Sequence, residues 1–156
     1  SATPVYGGGD VFFVTPYAER GRLYRLDPDS PTAQPRHIWT SPIDSVTGGA
    51  TLVDGTLYAA GYRVPKWWFA IDWATGETKA ELEALTTGAA LWADNRLYCL
   101  DEAGQVALLA PDTLEVVGRF RLVEKKTKDA WTHPVIHDGR LYLRYHDNLR
   151  CYSIRR

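Results

Sequence analysis

Apolar positions along this chain come in short runs broken by Gly, Pro and Asp, and no segment keeps a convincing helical period. Four stretches share one pattern. They read Pro4-Val-Tyr-Gly-Gly-Gly-Asp-Val-Phe-Phe-Val14, Ala50-Thr-Leu-Val-Asp-Gly-Thr-Leu-Tyr-Ala-Ala60, Ala90-Leu-Trp-Ala-Asp-Asn-Arg-Leu-Tyr-Cys-Leu100 and Pro134-Val-Ile-His-Asp-Gly-Arg-Leu-Tyr-Leu-Arg144. Each is an apolar run, a tight turn and a second apolar run. The turn dipeptides are Gly8-Gly9, Asp54-Gly55, Asp94-Asn95 and Asp138-Gly139. Such pairs suit the positive φ angles of two-residue hairpins. Positions 8, 54, 94 and 138 lie 46, 40 and 44 residues apart, the repeat length of four-stranded propeller blades.

Every copy continues alike. A third strand is predicted over Tyr24–Asp27, Phe69–Asp72, Ala107–Ala110 and Arg150–Ser153, and a fourth over Pro35–Thr40, Thr78–Leu85 and Glu115–Val123. Thr78–Leu85 has the composition of a helix, but its place in the repeat predicts a strand. The expectation is an all-β fold, a single β-propeller domain over 1–156 with about four four-stranded antiparallel blades near 3–42, 48–85, 88–123 and 130–156. The last blade lacks its fourth strand, which leaves 15 strands. Three architectures fit: a compact four-bladed ring, part of a seven- or eight-bladed ring, or two copies closing one eight-bladed ring. The latter two are preferred, because four blades need unusually sharp packing. An open strand edge is a liability that calls for a cover.

Phe69-Ala-Ile-Asp-Trp-Ala-Thr-Gly-Glu77 resembles the Ala-x-Asp-x-x-Thr-Gly-x-x-x-Trp blade motif of pyrroloquinoline-quinone-type propellers. That superfamily includes quinoprotein alcohol dehydrogenases, outer-membrane-protein assembly lipoproteins and cofactor-free relatives. The segment Trp131–Ile154 looks like the last blade of such proteins. In the family the motif Trp docks on the neighbouring blade. Ala80 and Gly118 hold that position in the second and third copies, and Trp39 fills it in the first. The mostly missing tryptophans argue against a typical dehydrogenase and for a cofactor-free relative. The resemblance implies a periplasmic or extracellular location.

Composition changes this picture little. The net charge of −1 gives no bulk attraction for nucleic acid. Lys125, Lys126 and Lys128 form the one basic cluster and read as a solvated loop. No apolar run approaches the ~20 residues of a membrane-spanning helix. The chain has no Met, which points to a processed form, a tag-cleaved product or a fragment. Cys99 and Cys151 have no CxxC partner and are expected to be two buried free thiols.

Candidate chemistry is sparse. His133, His137 and His146 fall in the last repeat and are the weak metal candidates. A spacing of four on one strand sets His133 and His137 about 13 Å apart, too far to share an ion. Tyr62, Arg63, Lys66, Trp67 and Trp68 form an aromatic and cationic group suited to stacking on a protein or glycan partner. Vicinal tryptophans on a strand face opposite ways, so one is core and the other is the candidate. Trp92 and Trp131 lie near first strands and are expected to fill the central channel. No phosphate loop or nucleophile elbow is present. The favoured function is a non-catalytic binding or assembly module with no cofactor, presenting a face or open edge. The alternative is part of a quinoprotein-like oxidoreductase with its cofactor near the propeller axis.

Overall fold

The structure, a computed structural model, describes residues 2–17, 20–30, 32–63 and 65–155. Its elements are all strands, in four separate antiparallel sheets. Blade 1 holds β1 (Val5–Gly7), β2 (Asp10–Val14), β3 (Gly21–Arg25) and β4 (Arg36–Thr40). Blade 2 holds β5 (Ala50–Val53), β6 (Thr56–Ala60), β7 (Trp68–Asp72) and β8 (Thr78–Leu82). Blade 3 holds β9 (Gly88–Ala93), β10 (Arg96–Asp101), β11 (Gln105–Leu109) and β12 (Val116–Arg121). Blade 4 has three strands, β13 (Val135–His137), β14 (Arg140–Tyr145) and β15 (Asn148–Ser153). The 15 strands are those the repeat predicts, and in each sheet they pair in sequence order.

The hairpin turns behave as their residues dictate. Asp54, Asp94, Asn95 and Asp138 all adopt φ between 46° and 55°, and Gly8, Gly9, Gly55 and Gly139 also lie at positive φ. Asp72 shapes the turn after β7. Its Oδ1 accepts hydrogen bonds from the Ala74 and Thr75 amides and the Thr75 hydroxyl. The third strands begin earlier than the sequence suggests: β3 opens at Gly21, because it pairs with the whole of β2 and leaves Leu26 and Asp27 to the turn. Thr78–Leu82 is a strand despite its helical composition, held by the ladder to β7.

Side-chain alternation gives each blade two apolar faces. Phe12, Val14, Leu23 and Trp39 of blade 1 pack with Leu57, Ala59, Phe69 and Ile71 of blade 2. Tyr58, Ala60, Trp68 and Ala70 then face Leu97, Cys99, Leu109 and Leu114 of blade 3. Leu100 and Val106 complete the series against Leu141, Leu143 and Tyr145 of blade 4. The innermost strands β1, β5, β9 and β13 lie beside one another in that order, and no comparable contact among the described residues joins β13 back to β1. The stack is an unclosed propeller.

Cys151 corrects the expectation of two buried thiols. Cys99 is buried between blades 2 and 3, and burial pushes its thiol well above the ordinary range; Cys151 is exposed on β15, where no fourth strand or following blade covers it. Both are free. Trp92 also departs from expectation. It stacks on Tyr58 with centroids 6.3 Å apart, in the junction of blades 2 and 3, because its position on β9 faces the preceding blade. Trp131 lies ahead of β13 and is exposed.

Candidate functional site

The β1–β2, β5–β6, β9–β10 and β13–β14 turns occupy one end of the stack, so the longer β2–β3 and β6–β7 loops and the connections between blades gather at the other. There Asp44, buried in the connection between blades 1 and 2, organises the surface. Its Oδ1 accepts hydrogen bonds from the backbone amides of Tyr62 (3.0 Å) and Arg63 (3.2 Å), and its carbonyl also accepts from the Tyr62 amide. The Gly61 amide donates to the Trp67 carbonyl at 2.8 Å and closes the loop. A Cβ on Gly61 would collide with the Pro65 carbonyl oxygen, so only glycine permits this closure.

The closed loop holds Arg63 between two rings. Its guanidinium carbon lies 4.3 Å from the Tyr17 centroid and 5.8 Å from that of Tyr62, and the two rings meet edge-on at 6.2 Å. Such cation–π contacts are worth about 0.5–1 kcal/mol at exposed sites and pre-order the side chains. Tyr17 comes from the β2–β3 loop of blade 1, 45 residues from Tyr62, and sequence reasoning missed it. Its left-handed backbone, φ 64°, turns the ring toward blade 2. A Pro-Tyr pair in a loop carries no signal of that turn.

Of the other candidates, Lys66 is exposed at the loop and Trp67 is half-buried. Trp67, just ahead of β7, packs toward blade 1, and Trp68, its first residue, packs toward blade 3, the alternation of an extended chain. Trp68 is 1% exposed and its Nε1 donates to the Thr86 carbonyl at 2.7 Å, so it is core and is removed from the ligand-binding set.

The histidines are dispersed. His133 Nε2 lies 2.9 Å from the Thr47 carbonyl, and His137 sits on β13 facing away from blade 3. His146 hydrogen-bonds Asp147 and holds that carboxyl below its usual range. No group of three His, Cys, Asp or Glu side chains suited to a cation occurs among the described residues. Lys125, Lys126 and Lys128 form an exposed connection, anchored where the Thr127 and Lys128 amides donate to the Tyr145 hydroxyl. A cleft of about 870 Å³ opens between the turn ends of blades 3 and 4. Its polar side chains serve their own turns: Arg155 bonds Asp138, and Arg96 bonds the Asn95 carbonyl.

No family model and no curated protein matches the chain. Solved structures do. BamB from Moraxella catarrhalis is 16% identical with a TM-score of 0.67, over 96% of this chain and 41% of its own. The computationally designed Ika8 protein is 11% identical at TM-score 0.71, over 97% of this chain and 45% of its own. A quinohemoprotein alcohol dehydrogenase, ADHIIG from Pseudomonas putida HK5, is 18% identical at TM-score 0.67, over 91% of this chain and 28% of its own. The chain thus spans less than half the length of each. At these identities the likeness establishes the fold alone, a run of four antiparallel β-propeller blades.

Proposed function

We propose that the chain is a non-catalytic binding or assembly module that presents its loop end to a protein partner. The observation that carries this reading is the Tyr17–Arg63–Tyr62 cluster. It places the exposed Tyr17 ring, the half-buried Tyr62 ring and a guanidinium beside a loop that Asp44 and Gly61 hold by backbone hydrogen bonds. Tyr, Trp and Arg are the residues that dominate protein recognition, and pre-ordering reduces the entropy lost on binding. Half-buried Trp67 and exposed Lys66 extend the same patch. An exported location follows from the family resemblance. No helix among the described residues is long and apolar enough to cross a membrane.

The oxidoreductase alternative asks for cation ligands and a stacking platform at the axis. Trp92 is engaged with Tyr58 between blades, and the described carboxylates and histidines do not converge. This donor set does not fit a quinone held with calcium.

The test is a peptide and glycan array probed with the parent protein and with Tyr62→Ala and Arg63→Ala. The expected result is a peptide ligand whose affinity falls about tenfold or more in each variant, with little change in melting temperature. Binding to glycans alone, or peptide binding indifferent to both substitutions, overturns the reading. A melting-point rise with pyrroloquinoline quinone and calcium supports the alternative.

A further inference from the structure

The outward faces of blades 1 and 4 carry side chains of the kind that fill the internal junctions. On blade 1, Tyr6, Val11, Phe13 and Tyr24 share the face turned away from blade 2. The repeat equivalents of Val11 are Leu57, Leu97 and Leu141, and those of Phe13 are Ala59, Cys99 and Leu143, all buried against a preceding blade. Yet Phe13 is 46% exposed and Tyr6 69%. Blade 4 mirrors this. Val135, Tyr142, Leu149 and Cys151 share the face turned away from blade 3, and Leu149 is 68% exposed. Its equivalents in blades 2 and 3 are Trp68 and Val106, at 1% and 4%. Soluble sheets do not normally leave such a row of large apolar side chains in water.

We propose that a second copy of this chain covers both faces: blade 4 of each copy packs on blade 1 of the other, closing an eight-bladed ring. Three observations favour this occupant. The two faces differ, so they suit a head-to-tail contact, and two such contacts related by a twofold axis close without leaving an edge. Their chemistry is complementary. Blade 4 adds the exposed Arg140 and Arg144 to its apolar row, opposite a face on which Phe13, Tyr24 and His37 form a continuous aromatic ladder beside the exposed Arg22. The area suffices. Three or four strands of about five residues, at ~4.8 Å spacing and ~3.3 Å rise, project about 240–320 Å² per face, so two junctions bury on the order of 1,100 Å². A specific interface needs about 1,000 Å². The contact is distinct from the loop-end patch, and its test reads mass rather than ligand.

Sedimentation velocity and light scattering are to be run from low micromolar to near-millimolar protein. The expected mass is twice the chain's 17.5 kDa. Phe13→Glu on blade 1 and Leu149→Glu on blade 4 each return the single-chain mass at concentrations where the parent is paired. Both positions are exposed in the single chain, and Tyr6→Ser with Val135→Ser serves as a milder second pair. Mixing the two Glu variants restores a two-chain species, because one of its two junctions joins unaltered faces. The native labelling rate of Cys151 falls as the parent associates. A single-chain mass up to near-millimolar overturns the proposal, as would sensitivity to only one of the two Glu substitutions, which marks an isologous contact. Failure of the mixture to pair also overturns it.

Discussion

The junction of blades 1 and 2 and the junction of blades 2 and 3 fill the same space with opposite allocations of volume. In the first, Trp39 on β4 reaches across to the β7–β8 turn, where its Nε1 donates to the Trp73 carbonyl at 2.9 Å and its ring meets that of Trp73 edge-on. Gly76 makes room: a Cβ there would sit 2.6 Å from the indole, and φ is +77°. In the second junction Ala80 takes the place of Trp39, and Leu114 takes the place of Gly76. Leu114 keeps the turn's left-handed backbone, φ 57°, and is buried against Ala80. The lost indole is therefore replaced by a side chain from the facing blade. Total volume across a junction is what packing conserves, and the motif tryptophan is one of two ways to supply it.

The largest expected effect comes from Trp39→Ala, which empties the first junction and should cost about 3–5 kcal/mol in urea unfolding. A loss under 1 kcal/mol would mean that the indole is not the spacer described. Next is a transplant of the first solution into the second junction. Ala80→Trp alone overpacks, at about 1–3 kcal/mol, and Leu114→Gly alone loses a buried side chain, at about 2–4 kcal/mol. The double variant should be less destabilised than their sum by about 1–2 kcal/mol. Strict additivity in that cycle breaks the comparison.

The smallest effect distinguishes the junctions by pH. Asp10, on the blade 1 face toward blade 2, takes two hydrogen bonds of 2.8 Å from Arg25, and these hold its carboxyl below the ordinary range. Its repeat equivalent in blade 2 is Thr56, whose hydroxyl oxygen accepts from Lys79 and which is not an acid. A depressed folded pKa stabilises above the unfolded value, about 4, and the contribution disappears as pH falls through the folded value. Asp10→Asn should flatten the stability curve below about pH 4. Thr56→Val should leave that acid limb unchanged. If Asp10→Asn leaves the limb intact, the ion pair is not its source.

The sequence made much of the fold legible because blade turns need particular residues. Asp-Gly and Asp-Asn dipeptides at a spacing near 40 fixed the hairpins, and strand alternation then assigned faces without any knowledge of neighbours. The Trp67–Trp68 pair was legible in the same way: opposite faces followed from adjacency, although which ring would be core did not. The patch was harder. Tyr17 joins Tyr62 and Arg63 through a left-handed loop residue and a buried Asp44, and neither the distance nor the carboxylate's role is written in a local pattern. Cys151 was misjudged because a strand position that is core in blades 1 and 2, at Leu23 and Ala70, becomes surface where no blade follows.

By itself, then, the sequence determined what is local and periodic: strand, turn and repeat, each set by backbone preference and alternation over a few residues. The tertiary structure decided what depends on neighbours from other repeats. It set the exchange of Trp39 for Leu114, the burial of Trp68, the pairing of Arg63 with Tyr17, and the two apolar faces left without a blade. Those outcomes turn on volume and contact between segments of different repeats, distant along the chain. Several sequences satisfy the same packing, so no local motif has to encode them.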